Sequence, residues 1–162
     1  MEVRPVRPDE HTRLGELTVE AYRSLEGGRL SQSYAAVLRD VAGRAVHAEV
    51  LVAVAEDGTL LGGVTYVPGP DSSSAEFERP DEAGIRALAV SPAARGGGVG
   101  TALTVACIAA ARADGKARVS LMTTPWMAAA HRIYERLGFR RAPECDMIAE
   151  RDTPLRAYVL DL

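Results

Sequence analysis

Arg95, Gly96, Gly97, Gly98 and Gly100 crowd into one turn. They follow the apolar run Leu88-Ala89-Val90 and lead through Val99 and Thr101 into an Ala- and Leu-rich segment. A strand that enters a Gly-rich turn at a helix start presents backbone N–H groups with no intrahelical partner. The helix dipole adds partial positive charge there, and glycine lets a ligand approach the main chain closely. That combination binds anions, phosphate above all, and Arg95 adds a guanidinium suited to bidentate contact. Two nucleotide patterns do not fit. A Walker loop needs Lys and then Ser/Thr after its last glycine, and Val99-Gly100-Thr101 has no Lys. Neither Gly96 nor Gly98 begins a G-x-G-x-x-G run. A turn that only packs a helix on a sheet is the other reading of these glycines.

Periodicity and punctuation outline the elements that must hold this loop. Residues 2–7 alternate around Val3 and Val6 as a short strand; Pro8-Asp9 ends it, and Asp9 is placed to cap the first helix. Leu14, Leu17, Val19, Ala21, Tyr22 and Leu25 mark that helix as amphipathic, closed by Gly27-Gly28, and a second helix spans 33–42. Residues 49–56 and 59–67 form a hairpin about Asp57-Gly58. The polar segment 68–82 is a surface loop. Residues 83–90 form an interior strand, 99–113 a helix and 117–123 a strand. Thr124 and Pro125 suit an N-cap and first helical position for a helix over 126–137, closed by Gly138. Residues 139–148 and 155–160 are the last strands. The order βααβββαβαββ describes one mixed α/β domain over residues 1–162, not a strictly alternating doubly wound fold.

The charge balance, 19 Lys+Arg against 22 Asp+Glu, speaks against a general nucleic-acid partner. Charged residues at 25% and hydrophobic residues at 47% describe a folded chain; aromatics at 5% leave the core to Ala, Val and Leu. Cys107 and Cys145 form no C-x-x-C pair and have no His at ligand spacing, so reduced buried thiols and no metal are expected. The charged, Pro-broken start has no apolar signal core, and the longest apolar stretch, 103–111, is about half a membrane span. The expectation is a cytoplasmic protein with no membrane segment.

Arg95-x-x-Gly98-x-Gly100 after Leu88-Ala89-Val90 resembles the Q/R-x-x-G-x-G/A acetyl-CoA motif of the GNAT N-acetyltransferases. Ala130-x-x-x-Tyr134-x-x-x-Gly138-Phe139 resembles that family's A-x-x-x-Y-x-x-x-G-F segment. One strand separates the two blocks, as in the family. The resemblance implies an α/β (α+β) fold of the GNAT acyl-CoA N-acyltransferase type. Its mixed, mostly antiparallel sheet has about seven strands flanked by four helices. It implies acetyl-CoA as co-substrate, with the pyrophosphate on the N–H groups of Arg95, Gly96, Gly97, Gly98, Val99, Gly100 and Thr101. The pantetheine arm would lie along Leu88, Ala89 and Val90, the Leu88 N–H polarising the thioester carbonyl. The acceptor is a small-molecule or peptide amine that attacks directly, so Cys107 needs no covalent role. Tyr134 is the implied proton donor to the departing thiolate. Ala130 and Gly138 keep the helical stripe beside it small. Homodimers are common in the fold, but no residue here assigns an interface.

Three positions depart from the family pattern. Met127 stands where an Asn often contacts the cofactor, seven residues before Tyr134; His131 is a candidate substitute. Gly84 stands where a general-base Glu is frequent, four residues before Leu88. Glu82, two residues earlier and on the same strand face, is the candidate base, acting through a water. Trp126 either walls the acceptor pocket or caps the core. The acids Asp71, Glu76, Glu78, Asp81 and Glu82 are expected to attract a cationic acceptor, and the segment 22–34 to supply other contacts to it. The competing expectation is a GNAT-fold module that senses acyl-CoA without turnover, favoured by Met127 and Gly84 and opposed by Tyr134.

Overall fold

Local chemistry accounts for most element boundaries in the computed structural model, which describes residues 1–26 and 29–162. Strand β1 (Glu2–Pro5) is followed by a 3-10 turn, Pro8–Glu10. Asp9, expected to cap the first helix, lies inside this turn, and Glu10 closes it: the Glu10 carboxylate accepts the Arg7 N–H at 2.8 Å and binds Arg4 at 2.7 Å. Helix α1 (His11–Glu26) follows, and its expected end at Gly27-Gly28 lies outside the described residues. The helix expected over 33–42 is two helices, α2 (Gln32–Arg39) and α3 (Val41–His47). Ser31 caps the first through the Tyr34 N–H. Asp40 breaks the pair apart: it leaves helical geometry (φ −77°, ψ 66°) and accepts the Gly43 N–H at 2.9 Å.

Strands β2 (Glu49–Val54) and β3 (Leu60–Val67) form the expected hairpin, with Gly58 at φ 84° in its turn. Next come β4 (Glu82–Val90), α4 (Val99–Ala113), β5 (Arg118–Thr123) and α5 (Ala128–Arg136). The strand expected over 139–148 is interrupted. Short strands β6 (Arg140–Arg141) and β7 (Met147–Ala149) flank a 3-10 turn at Pro143–Cys145, where proline offers no N–H to a ladder. The last strand is β8 (Thr153–Asp161). The described residues thus hold eight strands and five α-helices.

The strand order is β1-β2-β3-β4-β5-β8-β6, with β7 paired to another part of β8. Every pairing is antiparallel except β4 with β5. Alternation along β2 sorts the core into two layers. Leu51 and Ala53 join Leu103 and Cys107 of α4 and Tyr134 of α5 on one face. Val50, Val52 and Val54 join Leu14 of α1 and Val41 of α3 on the other. Helix α2 lies on that second face, where Ala35 and Leu38 pack with Val19 and Tyr22 of α1. No helix among the described residues is long and apolar enough to cross a membrane.

Candidate active site

The site begins with a fault in β4. Gly63 of β3 faces Ala89 and Thr65 faces Arg86, so Ala87 and Leu88 together stand opposite one residue of β3. Ala87 adopts φ 52°, a left-handed conformation that costs an L-residue about 1–2 kcal/mol. Such a bulge bends its strand. Pairing of β4 with β5 stops at Ile85–Leu121, although both strands continue. Beyond the bulge, the Ser91 N–H reaches back to Leu61 O on β3 at 2.8 Å. Strand alternation therefore turns the N–H and C=O groups of Leu88 and Val90 toward the side that β5 has left. The side chains of Leu88 and Val90 pack into the α4–α5 layer, and Ala89 packs into the α1–α2 layer.

This open edge runs into the glycine turn. A 3-10 turn, Pro92–Ala94, leads to Gly96 (φ 81°) and to Gly98 (φ 78°), the N-cap of α4. A Cβ at either position would be strained by the backbone, yet would meet nothing within 4 Å; the space beside them is open. The first bond of the helix is Ala102 N–H to Gly98 O at 3.0 Å, so the N–H groups of Val99, Gly100 and Thr101 precede the ladder. The concavity fits an anionic ligand end. Val99 and Gly100 also serve packing: Val99 is in the core, and a Cβ on Gly100 would come within 3.0 Å of Ile133 Cδ1. Arg95 ties the turn to α1, with Nη2 2.5 Å from Ser24 Oγ and 3.3 Å from Ala21 O.

Tyr134 is 5% exposed and sits between Phe139 and Tyr158, with ring centroids 5.8 and 5.9 Å away. Leu88, Val90 and Ala130 pack against the same cluster, so the expected proton donor stands in the layer beneath the open edge. Burial pushes its pKa well above that of an ordinary tyrosine, and it stays a neutral phenol. Cys107 lies nearby; burial pushes its thiol up to about 12, so it holds no thiolate for covalent chemistry near neutrality.

Helix α5 starts later than expected. Thr124 does not cap it by its side chain; its carbonyl accepts the Met127 N–H at 3.2 Å, and Met127 is the N-cap. Met127 packs with the α1–α2 layer. His131 is partly buried. Its Nε2 lies 3.0 Å from Thr124 O, its ring stacks on Tyr158, and burial lowers its pKa. It clamps the turn between β5 and α5. Trp126 is covered by Arg29, whose guanidinium lies 4.9 Å from the ring centre.

Glu82, the expected base, lies apart from the open edge. It occupies the far end of β4, six residues and so about 20 Å along the strand from Leu88. It is 5% exposed and ion-paired with Arg118 of β5 at 3.8 Å. Two carboxylates, Glu76 and the exposed Glu150, line a cavity beside the open end. The loop before β4 folds back, and Phe77 covers Gly84. Glu76 then faces Arg86 at 3.2 Å, and burial raises its pKa against the pull of that guanidinium. Glu76 and Arg86 line this cavity, of about 230 Å³, with Tyr22, Tyr34, Thr124 and Met127. Thr124 Oγ1 is buried without a hydrogen-bond partner among the described residues. Sequence reasoning placed Glu76 only in a charged loop; nothing local shows that the loop returns to the sheet.

A strand pair that splays open and ends on a glycine-lined helix start defines a fold for a long ligand with an anionic end, with a second cavity beside it. Comparison with known proteins gives this class its family. The model of the Acetyltransferase (GNAT) family matches residues 13–139, and the chain belongs to that family. A search of curated proteins found no match. Among solved structures, a GNAT-family acetyltransferase from Staphylococcus aureus superposes with a TM-score of 0.80 at 13% identity, covering 99% of this chain and 98% of that one. A GNAT-family acetyltransferase from Brucella melitensis, solved with acetyl-CoA, gives 0.67 at 23% identity and 99% and 87% coverage. The PaiA N-acetyltransferase of Thermoplasma acidophilum, solved with coenzyme A, gives 0.71 at 15% identity and 96% coverage of each chain. These likenesses show the fold.

Proposed function

We propose that this protein is a cytoplasmic N-acetyltransferase that moves the acetyl group of acetyl-CoA to a primary amine by direct attack. The observation that carries the reading is the open edge of β4 at Leu88 and Val90, continuous with the Gly96–Gly98 turn. The long thiol ester matches that edge in shape, and its pyrophosphate matches the unpaired N–H groups of Val99, Gly100 and Thr101. The Leu88 N–H supplies a fixed dipole to the thioester oxygen, where charge develops as the amine attacks. Tyr134, kept protonated by burial, donates a hydrogen bond to the sulfur as the C–S bond breaks. Because its pKa is raised, it steadies the thiolate better than it gives up its proton; the proton that ends on sulfur derives from the amine nitrogen.

The amine enters from the cavity of Tyr22, Tyr34, Glu76 and Thr124. This second cavity, with the charged Glu76 and Arg86 in its wall, favours a transferase over a module that only senses acyl-CoA. Titration with acetyl-CoA should show saturable binding, and an accepted amine from a panel of small amines and peptides should release CoA thiol. A protein that binds no acetyl-CoA would sink this reading.

A further inference from the structure

We propose that Glu76 is the general base that takes a proton from the acceptor ammonium; the proposal rests on the transfer reaction set out above. An alkylamine with a pKa near 10 is protonated at neutral pH and has no lone pair to attack with. The cavity therefore needs a group that accepts a proton and is shielded enough to hold it.

Glu76 meets both needs by position. Its loop is pinned to β4 by Phe77 on Gly84, which brings the carboxylate to Arg86 at 3.2 Å, beside Met122, Thr123 and Thr124 at the open end of β5. Among the described residues, the other titratable groups facing the cavity are Tyr22 of α1, Arg29 and Tyr34 around the start of α2, and Glu150 and Arg151 from the turn between β7 and β8. Glu150 is exposed at the rim and accepts the Ser33 hydroxyl at 2.8 Å. Glu82 is held by Arg118 at the opposite end of the strand. Burial raises the affinity of Glu76 for a proton, and Arg86 keeps the carboxylate form accessible.

The step balances. Glu76 carboxylate takes one proton from R–NH3+, leaving R–NH2. The nitrogen lone pair forms the C–N bond to the acetyl carbon as the C–S bond breaks. A second nitrogen proton ends on sulfur as the thiol. The Glu76 carboxyl then returns its proton to water at the cavity mouth. The products are the amide, CoA thiol and one proton.

The test compares wild type, E76Q and E76D on two acceptors taken from the panel, an alkylamine and an arylamine, the latter unprotonated at neutral pH. For E76Q, kcat/KM with the alkylamine should fall about 100-fold at pH 7, while the arylamine stays within about threefold. The rising limb of the wild-type alkylamine pH profile should vanish in E76Q and return in part in E76D. Equal losses on both amines, or an unchanged profile, would overturn the proposal. Acetyl-CoA affinity by calorimetry and thermal unfolding should match wild type in E76Q; absence of acetyl-CoA binding in the wild type would instead defeat the parent reading. Independently of turnover, the 13C carboxyl resonance lost in E76Q should titrate above that of an exposed glutamate. A Glu76 that titrates at or below that range would also overturn the assignment.

Discussion

Phe77 Cε1 lies 2.7 Å from the point where a Cβ on Gly84 would stand. Real Cβ atoms do not come so close, so the ring of the loop and the bare backbone of β4 specify one another. Gly84 is thus a seat for the segment that carries Glu76, and a longer side chain there would displace it. Gly84→Ala should cost about 1–3 kcal/mol of stability through overpacking and should lower turnover as the loop lifts. Urea unfolding and a thiol-release assay check it. A neutral effect on both would show that Phe77 moves aside freely.

Tyr134→Phe keeps the ring packing on Phe139 and Tyr158 and removes only the hydroxyl. Turnover should drop about 100-fold with acetyl-CoA affinity nearly unchanged. Because burial raises the phenol pKa, the wild type should show no loss of activity from tyrosine ionisation as pH climbs to that of a free phenol. Equal turnover of the two forms would remove Tyr134 from the chemistry.

Gly98→Ala tests the anion cradle. At φ 78° an alanine costs about 1 kcal/mol, and its methyl group would enter the open space beside the turn. Acetyl-CoA affinity should fall at least about tenfold, by the loss of roughly one or two hydrogen bonds to charged oxygens. Gly58→Ala, at φ 84° in the distant β2–β3 turn, carries the same backbone cost and should leave affinity intact. Equal affinity loss in both would assign the effect to general destabilisation.

Glu10 sets an acid limit on stability. Its hydrogen bonds from Arg4 and the Arg7 N–H lower its pKa to about 2 from an ordinary 4.5. A depressed carboxylate pKa contributes stability that is complete above the unfolded value and is lost as pH falls through the folded one. Urea midpoints of the wild type should decline between about pH 4.5 and about 2. Glu10→Gln should start lower at pH 7 and decline less across that window. Parallel declines would place the acid-sensitive group elsewhere.

The sequence by itself determined the local features. The Asp57-Gly58 hairpin, the Gly96–Gly98 turn opening α4, and the spacing of Ala130, Tyr134 and Gly138 depend on neighbours within a few residues, and chain chemistry settles them. Its errors came where nearby residues compete: Asp40 splits one expected helix, Pro143 interrupts one expected strand, and Met127 rather than Thr124 starts α5.

The tertiary structure alone decided what is near what. The bulge at Ala87 has no sequence signature, yet it separates β4 from β5. The pairing of Glu82 with Arg118 depends on two strands that meet only across the parallel ladder, 36 residues apart. Glu76 reaches the cavity because a loop with no periodicity folds onto a glycine, a contact set by packing across the sheet. Spacing along the chain reports which residues share an element; which carboxylates come to line one cavity is settled only when the elements pack.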